Sequence, residues 1–283
     1  VTACFSPDGK YILSGSSDGS IILWEFSTGK EVRRFLGHQG NVESVCFSPD
    51  GKYILSGGSD YKMKLWEISS DKEVKNFYCD EVVYSVCFSY DGKYALSSDT
   101  KKIVLWEIST GKEHRTLSGH SESIHSICFS PDGKYILSGS WDNTLKLWDI
   151  SSGNEVRIFS GHTSAINAIC FSPNGKYTLS GNSDNIITLW DITTGKAIKN
   201  FSGHSDVVTS VCFSQDGKYA LSGSFDNTLK LWDISSGLLV RTFTGHSAHV
   251  KSICFSHDGK YAFSGFCIYG ERSQYTLNLW EFT

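Results

Sequence analysis

Short apolar stretches alternate with polar turns along this chain at a nearly constant interval. Within residues 119–159, apolar stretches are Ile124 to Phe129, Tyr135 to Leu137, Leu145 to Trp148 and Val156 to Phe159, separated by Ser, Pro, Asp, Asn and Gly. Runs of four to seven residues with alternating or continuous apolar character, bounded by such residues, predict strands and turns. Ser130-Pro131-Asp132-Gly133 suits a tight turn, because Pro presets φ, Asp bonds the local backbone and Gly accepts positive φ. No segment sustains a helical period. Each unit therefore reads as four short strands.

The unit recurs. Trp stands at 24, 66, 106, 148, 190, 232 and 280, in steps of 40 to 42 residues and a last step of 48. Seven copies fill the chain. One small sheet cannot hide both of its faces, whereas sheets stacked around an axis bury each face against a neighbour. The prediction is an all-β, seven-bladed β-propeller of four-stranded antiparallel blades, forming a single domain over residues 1–283. The chain stops just after the third strand of copy seven, so the reading predicts 27 strands and a three-stranded last blade with an exposed edge.

Two motifs carry a family resemblance. Gly-His occurs near the start of five copies (His38, His120, His162, His204, His246), and Trp-Asp or Trp-Glu stands at the end of the third strand in all seven. The chain resembles the WD-repeat (WD40-type) family over essentially its whole length. In that family a segment upstream of the first copy often completes the last blade. The resemblance also implies a structural chain of hydrogen bonds in each complete copy, from Trp to Ser to His to the turn Asp. Its members here would be His38, Ser56, Asp60 and Trp66; His120, Ser138, Asp142 and Trp148; His162, Ser180, Asp184 and Trp190; and His204, Ser222, Asp226 and Trp232. A catalytic Ser-His-Asp reading of the same trio is disfavoured, because a catalytic site arises once and this one recurs. Copy three reads Tyr78-Cys79 in place of Gly-His, so its chain of bonds should be incomplete.

Charge and cysteine narrow the chemistry further. The net charge is −4, from 26 basic and 30 acidic residues without a basic block, so nucleic acid is not expected as a partner. No apolar run approaches a membrane span, so no membrane partner is expected either. Seven of the nine cysteines occupy one position (Cys4, Cys46, Cys87, Cys128, Cys170, Cys212, Cys254), where small apolar side chains suit a packed first strand. Stacked sheets lie too far apart for a disulfide ring, and no Cys-x-x-Cys pair suggests zinc. Buried thiols fit a reducing, cytoplasmic setting. Cys79 and Cys267 fall outside the pattern and read as exposed thiols. Lys10, Lys52, Lys93, Lys134, Lys176, Lys218 and Lys260 each follow a turn Asp or Asn by two residues, which predicts a solvated, charge-compensated loop face.

Only departures from the repeat can encode a particular partner. In the resembled family, partners dock where fourth-to-first-strand loops meet second-to-third-strand turns. Just before the turn Asp, four copies have Ser17, Ser59, Ser98 and Ser183, but two have Trp141 and Phe225. Exposed aromatics at turn tips are typical interface anchors. Three residues before the repeated Cys stand Glu43, Tyr84, His125, Asn167, Thr209 and Lys251, without the Arg cluster of a phosphopeptide reader. Copy seven inserts six residues, placing Phe266 to Arg272 on the same side, with Gln274 where the turn Asp would be. The expected function is non-catalytic recognition of a protein or peptide by a monomeric propeller. Trp141, Phe225, Tyr84 and His125 form the expected core, with Glu43, Lys251 and His249 as rim. No cofactor and no metal are implied. A purely architectural spacer module and, less favoured, a hydrolase with a central-channel site are the alternatives, and edge pairing at the last blade is a further possible contact.

Overall fold

The computed structural model describes residues 2–256, 258–268 and 274–282, the side chains of 266–268 and 274–277 excepted. Among these it holds 27 strands in seven antiparallel sheets, six of four strands and the last of three, with no helix. The blades cover residues 2–36, 42–78, 85–118, 124–159, 166–202, 208–243 and 250–281. This is the content and order of a seven-bladed β-propeller, as the repeat predicts, and the count of 27 and the three-stranded seventh blade agree as well.

Within each blade the strands follow chain order. In blade 4, Ile124–Phe129 pairs Tyr135–Ser140, which pairs Leu145–Asp149, which pairs Glu155–Phe159. Between the first and second strands the Ser-Pro-Asp-Gly turn closes as its composition dictates. The Ser130 hydroxyl donates to Asp132 Oδ1 (2.6 Å), the Lys134 N–H donates to the same oxygen (3.1 Å), and Gly133 sits at φ 69°.

The chain divides into two compact units, residues 1–119 with blades 1 to 3 and residues 120–283 with blades 4 to 7. Inside each unit the core lies between consecutive blades. Leu137, Leu145, Leu147 and Phe159 of blade 4 pack with Ile166, Ile169 and Trp190 of blade 5, and equivalent clusters join blades 1–2, 2–3, 5–6 and 6–7. Burial of this kind contributes about 25 cal/mol per Å² of apolar area, so each blade depends on its neighbour. The approach is close enough to require glycine: a Cβ on Gly139 would lie 2.6 Å from Ile166 Cγ2.

Hydrogen bonds also cross between blades. The Ser126 hydroxyl accepts from the Ile169 N–H (3.2 Å), and Ser44 and Ser210 do the same for Val86 and Ile253. On the outer strands, Arg33, Lys75 and Lys199 each donate to turn carbonyls of the following blade.

Candidate functional site

Three blades bring Trp, Ser, His and Asp into one bonded line. In blade 6, the Trp232 indole N–H donates to Ser222 Oγ (2.8 Å), Ser222 lies 2.7 Å from His204 Nε2, and His204 Nδ1 lies 2.7 Å from Asp226 Oδ2. The lines His38–Ser56–Asp60–Trp66 and His120–Ser138–Asp142–Trp148 have the same partners within 2.7–2.8 Å. Each group uses what it has. A neutral imidazole gives its Nδ1–H to an ionised Asp and accepts the Ser hydroxyl at Nε2, while that hydroxyl accepts from indole.

The titration shifts fit this assignment. Burial pushes His38, His120 and His204 below the ordinary imidazole value, against the opposing pull of the Asp. Burial opposes ionisation of Asp142 and Asp226, yet the Thr144 and Thr228 hydroxyls and the imidazoles hold both below the usual carboxylate value. Those threonines were not marked by sequence reasoning, although each lies two residues after its Asp. The serines are wholly buried, Ser138 at 0% and Ser222 at 1% exposure, so their hydroxyls face packed protein. A nucleophile needs room for a reacting atom about 3 Å away; these oxygens have none.

The other blades depart from the line. In blade 5, His162 Nε2 meets Ser180 (3.0 Å) and Trp190 donates to Ser180 (2.8 Å). The expectation that Asp184 would hold the far ring nitrogen is not met. Asn182 comes between, its Nδ2 3.5 Å from His162 Nδ1 and its Oδ1 accepting from the Asp184 and Ile186 N–H groups, while the Asp184 carboxylate takes the Thr163 hydroxyl. The physical reason is side-chain length: the blades that keep the line have Gly58, Ser140 or Ser224 at this position, whereas the longer Asn182 carries an amide to the ring and to the turn N–H groups. Without the carboxylate as direct partner, burial carries His162 down to about 4.

In blade 3, Trp106 still donates to Ser97 (2.8 Å), but the next partner is the Cys79 thiol at 3.8 Å, and Asp99 turns to the Lys101 and Lys102 N–H groups. Cys79 is accordingly not an exposed thiol. It stands where His stands elsewhere, packed among apolar neighbours of blades 2 and 3, and burial raises it to about 11. The side chain of Cys267 lies outside the described residues. Blade 7 keeps His246–Ser264 (2.7 Å) and Trp280–Ser264 (2.9 Å).

The placing of the candidate side chains has a backbone cause. Glu43, His125, Asn167, Thr209 and Lys251 all fall where the pairing of first and second strands skips one residue, a β-bulge. A bulge re-aims a side chain out of the alternation. Tyr84 precedes the first strand of its blade, its N–H bonded to the Ser98 carbonyl (3.1 Å). Tyr84 and Glu43 belong to the first unit, the other candidates to the second.

In the second unit the aromatics and bulge residues pair. Trp141, 49% exposed, stacks on His125 with centroids 4.1 Å apart and planes 7° from parallel, and its indole N–H donates to Asn167 Oδ1 (3.2 Å). Phe225 lies 4.6 Å from the His249 ring and beneath the Lys251 ammonium (4.5 Å), and its carbonyl accepts from His249 Nδ1 (2.7 Å). Burial and then the Lys251 charge lower His125 to about 4, so its ring is neutral at pH 7. Asn167, outside the expected core, proves central to the Trp141 contact: its Nδ2 also reaches Ser183 Oγ (3.1 Å) and the Val208 carbonyl (3.3 Å). The variable position was visible in the sequence, the bulge was not. Of the copy-seven insertion, residues 269–273 and the side chains of Phe266, Cys267, Ile268 and Gln274 lie outside the described residues.

The repeated cysteines are partly buried. Burial raises Cys4 and Cys128 to about 12 and pushes Cys46, Cys170 and Cys212 higher still. The turn lysines are 72–75% exposed where they pair with their Asp, as for Lys134 and Asp132 at 3.9 Å. Among the described residues, no group of three or more His, Cys, Asp or Glu is placed to hold a metal, and no helix is long and apolar enough to cross a membrane.

The blades and the Trp–Ser–His line define a repeat propeller, and comparison with known families agrees. The WD40 family model (WD domain, G-beta repeat) matches residues 1–25, 29–67, 71–107, 111–149, 153–191, 195–233 and 237–281. The chain belongs to the WD40 repeat family, whose propellers are in general non-catalytic scaffolds that bind protein partners. Among curated proteins, the WD40 repeat-containing protein smu1 of Dictyostelium discoideum is 50% identical over 40 residues. That match covers 14% of this chain and 7% of smu1, so it reaches about one repeat and a small part of the relative's length.

Proposed function

We propose that residues 1–283 act as one non-catalytic propeller domain that binds a protein or peptide through the turn face of its second unit, which bears Trp141, His125, Phe225, His249 and Lys251. The observation that carries this reading is the seating of the two aromatics. Trp141 and Phe225 replace the serines of four other copies; Trp141 is held by a ring stack and an indole hydrogen bond, Phe225 by a tilted ring contact, the Lys251 ammonium and a bond to its backbone carbonyl, while part of each surface stays in water. Preorganised aromatics lose little freedom when a partner covers them, which is how interface anchors gain affinity. The mixture of neutral His125, cationic Lys251 and Asn167 favours a polar peptide surface over a phosphate cluster. The buried serines and the repetition of their line support a structural role for the Ser-His-Asp groups. The thiols, raised by burial, suit a reducing cytoplasmic setting.

The test is capture of partners from a cell extract by the chain and by a Trp141→Ala/Phe225→Ala double variant of unchanged melting temperature. Partners held by this face should fall at least about tenfold in recovery, since two anchors at about 1–2 kcal/mol each multiply. Equal recovery of every partner by both proteins refutes the assignment.

A further inference from the structure

Grooves of one kind lie between neighbouring blades beside the Ser-Pro-Asp-Gly turns, and they are unequal. The groove between blades 4 and 5 has a volume of about 600 Å³, against about 360 Å³ between blades 1 and 2 and about 270 Å³ between blades 6 and 7. The largest is lined by Pro131, Tyr135, Leu147, Phe171 and Ile192, together with one cation, Arg157. Its size is that of a site for a few side chains.

Its charge also differs. The turn residue supplied by blade 5 is Asn174, where the other copies have Asp8, Asp50, Asp91, Asp132, Asp216 and Asp258. One carboxylate therefore borders this groove, and two border each of the others. That remaining carboxylate, Asp132, is already engaged by the Ser130 hydroxyl (2.6 Å) and the Lys134 N–H (3.1 Å).

The cation is engaged elsewhere but not here. Arg33 donates to the Ile68 carbonyl (2.6 Å) and pairs with Asp71. Lys75 and Lys199 donate to pairs of turn carbonyls in the next blade. Gly195 stands where Asp71 stands in blade 2, and a Cβ on Gly195 would meet the Arg157 side chain at 2.7 Å. Among the described residues the Arg157 side chain makes no hydrogen bond, its Nε is buried without an acceptor, and its charge acts across space on the exposed carboxylate of Asp191. A guanidinium beside apolar walls is incompletely solvated and pairs strongly with a carboxylate.

We propose that the groove between blades 4 and 5 binds an extended segment of a partner protein in which a large apolar side chain neighbours an Asp or Glu. The apolar group rests on Tyr135, Leu147, Phe171 and Ile192, and the carboxylate pairs with Arg157. This site is separate from the Trp141 and Phe225 positions and does not depend on them.

A library of displayed random hexapeptides, selected on the intact chain and counter-selected on Arg157→Gln, tests it. The expected outcome is enrichment of peptides with an acidic residue within two positions of Leu, Ile, Phe or Trp. As synthetic peptides read by fluorescence polarisation, they should bind Arg157→Gln at least about tenfold more weakly, and exchange of their acid for its amide should cost a similar factor only on the unaltered protein. Asn174→Asp, which leaves Arg157 in place and restores the second carboxylate, should weaken binding about threefold or more. Arg33→Gln and the Trp141→Ala/Phe225→Ala pair should leave it unchanged. No enrichment, enrichment without acidic residues, or equal binding to Arg157→Gln overturns the proposal.

Discussion

Blades 6 and 3 solve the same packing problem with different polar equipment. Blade 6 runs Trp232 to Ser222 to His204 to Asp226 without a break, and Asp226 also accepts the Ser205 N–H (3.1 Å), so the entry loop is tied to the turn. Blade 3 keeps only Trp106 to Ser97, ends at the Cys79 sulfur, and lets Asp99 close its own turn. The bond common to both is the indole-to-serine contact. It joins the second and third strands, satisfies two buried groups and leaves no donor unmet. The His–Asp portion is a tie between loop and turn that a blade can lack, provided that what replaces the imidazole is small and demands little hydrogen bonding. A thiol meets both conditions.

If the indole is the shared element, removing it should cost both blades alike. Trp232→Ala and Trp106→Ala should each destabilise by about 3–5 kcal/mol, combining lost burial with an unsatisfied serine. Urea unfolding midpoints at unchanged m-value measure this. A loss at Trp106 far below that at Trp232 would break the comparison.

Removing the next member should separate them. His204→Ala strands the Ser222 hydroxyl and the Asp226 carboxylate and should cost about 1–3 kcal/mol. Cys79→Ala removes one soft atom from an apolar site and should cost about 1 kcal/mol or less. Hydrogen exchange on the same proteins should show the His204→Ala loss concentrated in residues 204–233. Equal costs at the two sites would mean that the tie contributes nothing beyond packing.

The effect spread most gradually is in pH, and blade 5 sharpens it. Burial places His162 at about 4 when folded, below the ordinary imidazole value near 6.5. The unfolded chain therefore takes up this proton first as pH falls. The stability the neutral ring supplies is complete above about pH 6.5 and is lost as pH falls toward about 4, by up to about 1.4 kcal/mol per pH unit. His162→Gln should flatten the stability profile in that window, while Cys79→Ala should leave its slope as it was. An unchanged slope in His162→Gln would show that the ring is not held neutral by the fold.

Much of the architecture is legible in the chain before any coordinates, because its signals are local. Alternation of period two, Pro-Asp-Gly turns and a Trp every 40 to 42 residues report strand faces, turn sites and copy number, and each depends on residues a few positions apart. Copy three announces its broken line by writing Cys79 for His. Trp141, Phe225 and Asn174 are visible as departures from an otherwise constant position.

What those departures touch was decided elsewhere. No local pattern says that Asn182 comes between His162 and Asp184, because that depends on how far its amide reaches where other blades have Gly58, Ser140 or Ser224. His125 reaches Trp141 because a bulge turns it out of the strand alternation, and Asn167 joins them from the next blade. Cys79 reads as surface by its place outside the cysteine pattern, yet the packing of blade 2 on blade 3 partly buries it. Arg157 looks like any outer-strand cation until the structure shows it without the bond to the following blade that Arg33, Lys75 and Lys199 make. By itself the sequence determined the strands, turns and copies, since hydrophobic periodicity and turn chemistry act along the chain. Tertiary structure alone decided which unlike residues of adjacent copies meet, since those contacts depend on register shifts and on side-chain volumes brought together from about 40 residues away.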